Sequence, residues 1–364
     1  MRGPAMARRG FLAAVAATAA TAGTTTGGPA QRRRGIPLGF DNFAVRALDW
    51  DVGQLVDHAV TLGCDAVFVT DFGPFRGKTD DATLAEVRAR AADRGVAILL
   101  GSWSICPSAR RFKADWGTAE EHLALGIRMA KALGSPAFRV ILGDQSDRLS
   151  PGGIAARIAD TVAVLQACRP LALDANVKIA VENHAGDMTS RELLALVEEA
   201  GPDVVGVNFD SGNACWALED PVAALDRLAP HVLSTSLRDT MVWETAGGVA
   251  MQWTAMGEGC TDLARLFDVF EKRCPGVTAN IETISGFPRE FSLFDREFWR
   301  AYPDVRGEDL AGLLALAKRG RAIDPFQAPA GGDRKQAERE HQLAELARSI
   351  AHCRDVLGLG VRGS

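Results

Sequence analysis

Two apolar runs in the middle of the chain, Val177–Val181 and Val204–Phe209, each end in a carboxylate, Glu182 and Asp210. Both runs are short, rich in β-branched residues and bounded by turn residues, the marks of buried strands. Arg191–Ala200 between them places apolar residues at helical spacing, so the unit is strand–helix–strand and its sheet parallel. Side chains alternate along a strand, so Glu182, His184, Asn208 and Asp210 share the face opposite Val181 and Phe209. A carboxylate buried at a strand end needs a cation, a hydrogen-bond network or a raised pKa. One such acid is often structural; two in successive units point to a binding or acid–base site. A third acid, Glu282, closes a later run, Val277–Ile281.

The rest of the chain repeats this unit. Strands are expected at 36–41, 65–70, 96–100, 137–142 and 232–237. Helices are expected at 54–62, 81–94, 118–133, 151–173, 220–228 and 261–272. Eight strands alternating with helices over about 250 residues is the count of a (β/α)8 TIM barrel, an α/β fold. A doubly wound open sheet is the alternative, because alternation alone does not show closure. The barrel is favoured by polar residues at alternate positions of the late strand ends: Glu182 and His184, Asn208 and Asp210, Ser234, Ser236 and Arg238, Asn280 and Glu282. Such strands turn one face to a polar mouth and the other to helices. The barrel is assigned to residues 36–320. Ala328–Asp333 reads as a linker, and residues 334–357 as a C-terminal amphipathic helix, an extension packed on the barrel or on a second subunit, which leaves a homo-oligomer open.

Composition excludes little. The 364 residues are 47% apolar and 24% charged, ordinary for a soluble domain, and the net charge of -5 gives no case for nucleic acid or an anionic membrane. Seven scattered cysteines without a CxxC pair read as buried thiols rather than a disulfide framework. Residues 1–30 have the layout of an export signal: Arg8-Arg9 before Phe11-Leu12, then an Ala/Thr-rich apolar run too short for a membrane span. The arginine pair resembles a twin-arginine signal, so the mature protein is expected in the periplasm or outside the cell, free of the membrane.

GFDN at Gly39–Asn42, VENHAGD at Val181–Asp187, NFDSGN at Asn208–Asn213, SLRDT at Ser236–Thr240 and NIET at Asn280–Thr283 resemble the sugar phosphate isomerase/epimerase superfamily. These are the xylose isomerase-like barrels, which include ketose 3-epimerases, inosose dehydratases and endonuclease IV-like proteins. The resemblance runs from Ile36 to Glu290. It implies a divalent cation held by Glu182, Asp210 and Glu282, with Glu182 and Glu282 also moving a proton beside a ketone. It implies substrate contacts at His184, Asn213 and Arg238; Trp103 is a further candidate, for stacking on a sugar face. One family ligand is missing: the strand-seven histidine is replaced by Ser236. Three carboxylates and water still suit Mn²⁺, Mg²⁺ or Ca²⁺.

The activity expected is therefore a sugar or polyol isomerase or epimerase using metal-assisted proton transfer. A keto-sugar lyase or dehydratase is the second reading, since the same enediolate can expel a β-substituent. The third is a non-catalytic carbohydrate-binding barrel, for which Ser236 speaks. Arg238 has a bland alternative role, a salt bridge to Asp239 or Asp210.

Overall fold

The computed structural model describes residues 32–286 and 288–362. The export signal read at residues 1–30 lies outside the described residues. In chain order the strands are β1 Leu38–Asp41, β2 Ala66–Val69, β3 Ala97–Ser104, β4 Ala137–Ile141, β5 Lys178–Glu182, β6 Val205–Phe209 and β7 Val232–Thr235. They continue with β8 Asp239–Thr245, β9 Gly248–Thr254, β10 Ala279–Ile281 and β11 Arg289–Phe291. The helices are α1 Val52–Thr61, α2 Asp81–Asp93, α3 Ala119–Leu133, α4 Gly153–Ala175, α5 Ser190–Ala200, α6 Ser211–Trp216, α7 Pro221–Leu228, α8 Leu263–Arg273, α9 Gly307–Arg319 and α10 Arg334–Asp355.

Strands β1 to β7 and β10 form one parallel sheet in which β10 pairs with β1. Just past β7, Leu237 bridges to Ile281 of β10: its N–H donates to the Asn280 carbonyl at 2.7 Å, and it accepts from the Glu282 N–H at 2.8 Å. The two edges of the sheet therefore meet, and the chain is a (β/α)8 barrel. Helix starts follow local chemistry. Asp51 with Gln54, Thr118 with Glu121 and Thr189 with Glu192 form reciprocal capping boxes at α1, α3 and α5.

Alternation along the strands divides the interior into two unlike cores. Outward residues such as Leu38, Phe40, Val67, Leu100, Phe138, Val181, Phe209 and Ile281 join the helices in one large apolar cluster. Inside the ring the apolar cluster among the described residues is small: Ala66, Phe68 and Leu99. Arg139, Glu182, Asn208, Ser234, Ser236 and Asn280 stand on the remaining inner positions, all buried. A barrel core filled by charge is held by pairing and hydrogen bonds rather than by area alone.

Two segments depart from the expected element list. Residues 239–254 form the hairpin β8–β9, extended by β11, and α9 packs on β8. With Trp216, Tyr302, Leu313 and Leu316 they build a second apolar core. Helix α10 packs on the barrel itself, against β1, β10 and the turn after β1, with Leu346, Ile350 and Cys353 in the main core. The seven cysteines are free thiols, six buried and Cys260 partly exposed. No helix among the described residues is long and apolar enough to cross a membrane.

Candidate active site

The acids at the strand ends meet in one buried lattice with two arginines. Glu182 at the end of β5 accepts from Arg139 Nε on β4 (2.6 Å), from Asn208 Nδ2 on β6 (2.8 Å) and from Asn213 Nδ2 (3.3 Å). Asp210, just after β6, caps α6 by accepting from the Asn213 N–H (2.9 Å), and its other oxygen accepts from Asn213 Nδ2 (2.8 Å). Arg238, just after β7, reaches across with Nη2, which donates to both Asp210 Oδ2 and Glu282 Oε2. Asp41, at the end of β1, takes hydrogen bonds from Thr70 Oγ1 (2.9 Å) and Ser236 Oγ (3.4 Å).

Four carboxylates and two guanidiniums in a dry interior cannot all be charged at low cost. Burial, with the neighbouring Glu182 and Glu282 carboxylates, pushes Asp210 up to about 8 against the pull of Arg238. Burial and Glu282 hold Asp41 well above the ordinary range. Glu182 is also buried, yet Arg139 brings it below its usual value. Burial raises Glu282 as well, against the pull of Arg238, so Glu182 is the one of these four carboxylates held low. The lattice thus holds an ionised carboxylate and a protonated one side by side, the pairing that acid–base chemistry uses.

His184 is placed by its loop. Asp187 accepts from the backbone N–H groups of Gly143, His184 and Met188, tying the loop after β5 to the one after β4. The His184 Nδ1 lies 2.6 Å from the Gly143 carbonyl, which fixes the proton on Nδ1 and leaves Nε2 as the basic nitrogen. Burial lowers its pKa, so the ring is neutral.

Arg238 also begins a four-layer stack. Its guanidinium lies 4.2 Å from the Trp253 ring centre, Trp253 stacks on Trp216 at 4.3 Å, and Arg289 lies 4.4 Å from Trp216. Gly212 makes room: a Cβ there would meet the Arg238 stem at 2.4 Å and the Trp253 ring at 2.8 Å. Four donors remain without a partner in this buried region: Arg238 Nε and Nη1, and the indole N–H groups of Trp216 and Trp253.

Of the expected site residues, Glu182, Asp210, Glu282, Asn213 and Arg238 are bonded to one another, and His184 lies beside them. Trp103 stands apart; it meets Phe43 edge-on at 5.4 Å, with Lys113 over its ring at 5.8 Å. Sequence reasoning missed Asp41, Arg139 and Trp216. Asp41 was detectable, since it closes β1 as Glu182 closes β5, and Arg139 sits at an inward position of β4.

The residues present do not fit the expected divalent cation. A trio of carboxylate ligands needs oxygens converging on open space, but Glu182 is occupied by Arg139, and Asp210 and Glu282 share the guanidinium of Arg238. Among the described residues no three His, Cys, Asp or Glu side chains are grouped to hold a metal ion. The metal assignment to Glu182, Asp210 and Glu282 is corrected on this ground: the positive charge is supplied by side chains. Ser236, in place of the histidine ligand, accepts from Asn208 Nδ2 (3.2 Å) and donates toward Asp41.

Residues 56–302 match the family described as xylose isomerase-like TIM barrel. The chain belongs to that family. The uncharacterized protein YihM of Escherichia coli is 30% identical over 86 residues, which are 24% of this chain and 26% of that protein. The 3-oxo-isoapionate decarboxylase of Pectobacterium atrosepticum is 23% identical over 201 residues, 55% of this chain and 63% of that one. The chain thus matches less than two thirds of either curated relative's length. The crystal structure of D-psicose 3-epimerase, determined in the presence of D-fructose, superposes with a TM-score of 0.58 at 15% identity, covering 89% of this chain and all of that one. That likeness concerns the fold.

Proposed function

We propose that this barrel is an acid–base enzyme that forms an enolate or enediolate on a small hydroxylated keto compound, as an isomerase or epimerase of a sugar or polyol derivative. The observation that carries the reading is Arg238, buried, tied to Asp210 and Glu282 through one nitrogen, with its other donors unpaired. Unpaired guanidinium N–H groups in an interior are costly unless a ligand oxygen takes them. An oxyanion forming on a carbonyl is such a ligand, and preorganised donors stabilise it most where water is absent.

Ionised Glu182 takes the proton from the carbon beside the carbonyl, with neutral His184 Nε2 beside it as the alternative base. The C–H electron pair moves to the carbonyl oxygen, held by Arg238. The Asp210–Glu282 pair returns a proton, Asp210 standing one strand on from Glu182 and Glu282 three strands on round the ring. A second reading, a lyase in which the same enolate arises by loss of carbon dioxide or of a β-substituent, draws support from the decarboxylase relative. Incubating the protein in D₂O with ketoses and keto sugar acids, followed by proton NMR, tests both. The isomerase reading expects deuterium beside the carbonyl with substrate retained; the lyase reading expects substrate loss. Absence of either change, or undiminished exchange in both Glu182→Gln and His184→Gln, would sink the acid–base reading. Export is part of this proposal, resting on residues 1–30.

A further inference from the structure

Beside the lattice, between the end of β10, the segment after α9 and helix α10, lies a cavity of about 410 Å³. Its walls include Arg46, Thr283, Ser285, Phe326, Glu338 and His341. It adjoins the site described above. Thr283 follows Glu282 directly, and Arg46, its pKa lowered by burial, lies in the field of the Glu338, Glu282 and Glu345 carboxylates and of the Arg238 guanidinium. Apart from Thr283 and Ser285, these residues lie outside the stretch that matches the family, in the turn after β1 and in the C-terminal segment.

Several polar groups line the cavity. Arg46 is half-buried and makes no ion pair among the described residues; its one hydrogen bond runs from Nη1 to the Phe43 carbonyl at 3.2 Å. Thr283 is fully buried, and its hydroxyl has no partner. His341 stacks face to face on Phe326, with ring centres 4.0 Å apart, and its Nε2 lies 3.1 Å from the Ser285 hydroxyl. The wall is held from behind, where Gln342 of α10 accepts from the Ala47 N–H at 2.8 Å.

We propose that this cavity is the recognition pocket and that its ligand is a hydroxylated carboxylic acid, a sugar acid whose carboxylate pairs with Arg46 and whose hydroxyls reach Thr283, Ser285 and His341. Among the described residues no carboxylate stands within ion-pair distance of the half-buried Arg46 guanidinium, so its free donors favour an anion in the cavity over a neutral sugar. Glu338 and Glu345 in the same wall disfavour a doubly charged phosphate. The volume suits a molecule of about six carbons, within the range of about 300–1,000 Å³ typical of small-ligand sites. The inference deepens the acid–base reading, since it places the substrate's carboxylate at Arg46 and its reacting carbon toward Glu282.

Binding of D-gluconate and D-glucuronate, with sorbitol and glucose 6-phosphate as controls, is measured by calorimetry on the full chain, its Arg46→Gln and Arg46→Lys variants and Glu182→Gln. The expected result is that at least one sugar acid binds more tightly than either control. Arg46→Gln then weakens it roughly tenfold or more, the size of a lost charge-assisted hydrogen bond, and Arg46→Lys weakens it less. Equal binding of sorbitol, tighter binding of the phosphate, no binding of either acid, or indifference to Arg46→Gln in a folded variant would overturn the pocket assignment. Glu182→Gln separates the two readings: unchanged sugar-acid binding with proton exchange lost supports both. Exchange that depends on Glu182 without any dependence on Arg46 removes the pocket alone.

Discussion

Asp210 is the residue on which the acid–base account is most exposed. Its ordinary pKa lies near 4, and burial pushes it up to about 8. Between those values the native state binds a proton that the unfolded chain does not, so this group's contribution to stability falls as pH rises through the window. Glu182, held below its usual value by Arg139, acts in the opposite sense but at lower pH. Denaturant unfolding at pH 5 and pH 8 is therefore expected to show a decline in wild type that is smaller in Asp210→Asn. Equal declines would mean that Asp210 is ionised throughout. At this scale Glu182, Asp210 and Glu282 were legible, because each closes an apolar run and alternation points them to one face. Arg238's pairing with Asp210 was one of the two salt bridges read for it, but its simultaneous reach to Glu282 was not. Arg238 joins acids from two different strands, and a one-dimensional pattern says which face a residue takes but not which neighbours it reaches.

Among the elements, the repeated strand–helix units were readable because buried parallel strands are continuous apolar runs with turn residues at both ends. The hairpin β8–β9 is absent from the expected elements, although its two-residue connection, Ala246-Gly247, and the alternation around it are hairpin signals. Helix α9 was also missed. Its buried residues pack on the hairpin, so its stability comes from a partner that had not been recognised. Helix α6 is short and wholly buried, and its meaning lies in Gly212, where the chain passes against the Arg238 stem. Gly212→Ala is expected to push Arg238 and Trp253 apart and to destabilise the fold by about 1–3 kcal/mol. The proton exchange assigned to the site should fall with it. A fully stable and active Gly212→Ala would show that the Arg238–Trp253 contact is dispensable.

The whole molecule joins the barrel to the β8–β9 hairpin, the Arg238–Trp253–Trp216–Arg289 stack and the C-terminal helix that walls the adjoining cavity. Removing residues 1–30 deletes three arginines and no acid, which would take the net charge from -5 to about -8. Export by the twin-arginine route predicts that replacing both residues, Arg8→Lys and Arg9→Lys, leaves the precursor in the cytoplasm; normal export of the double variant would contradict it. The central claim is that Arg238 supplies the positive charge that relatives of this sequence were expected to take from a metal. Metal analysis of the purified mature protein, with melting curves before and after a strong chelator, tests it most directly. The account predicts no stoichiometric divalent metal and an unchanged melting temperature. It also predicts that Mn²⁺ raises the melting temperature of Arg238→Ala but not of wild type, by binding the carboxylates the arginine had occupied. One equivalent of tightly held metal in wild type, lost to the chelator with a fall in melting temperature, would contradict it.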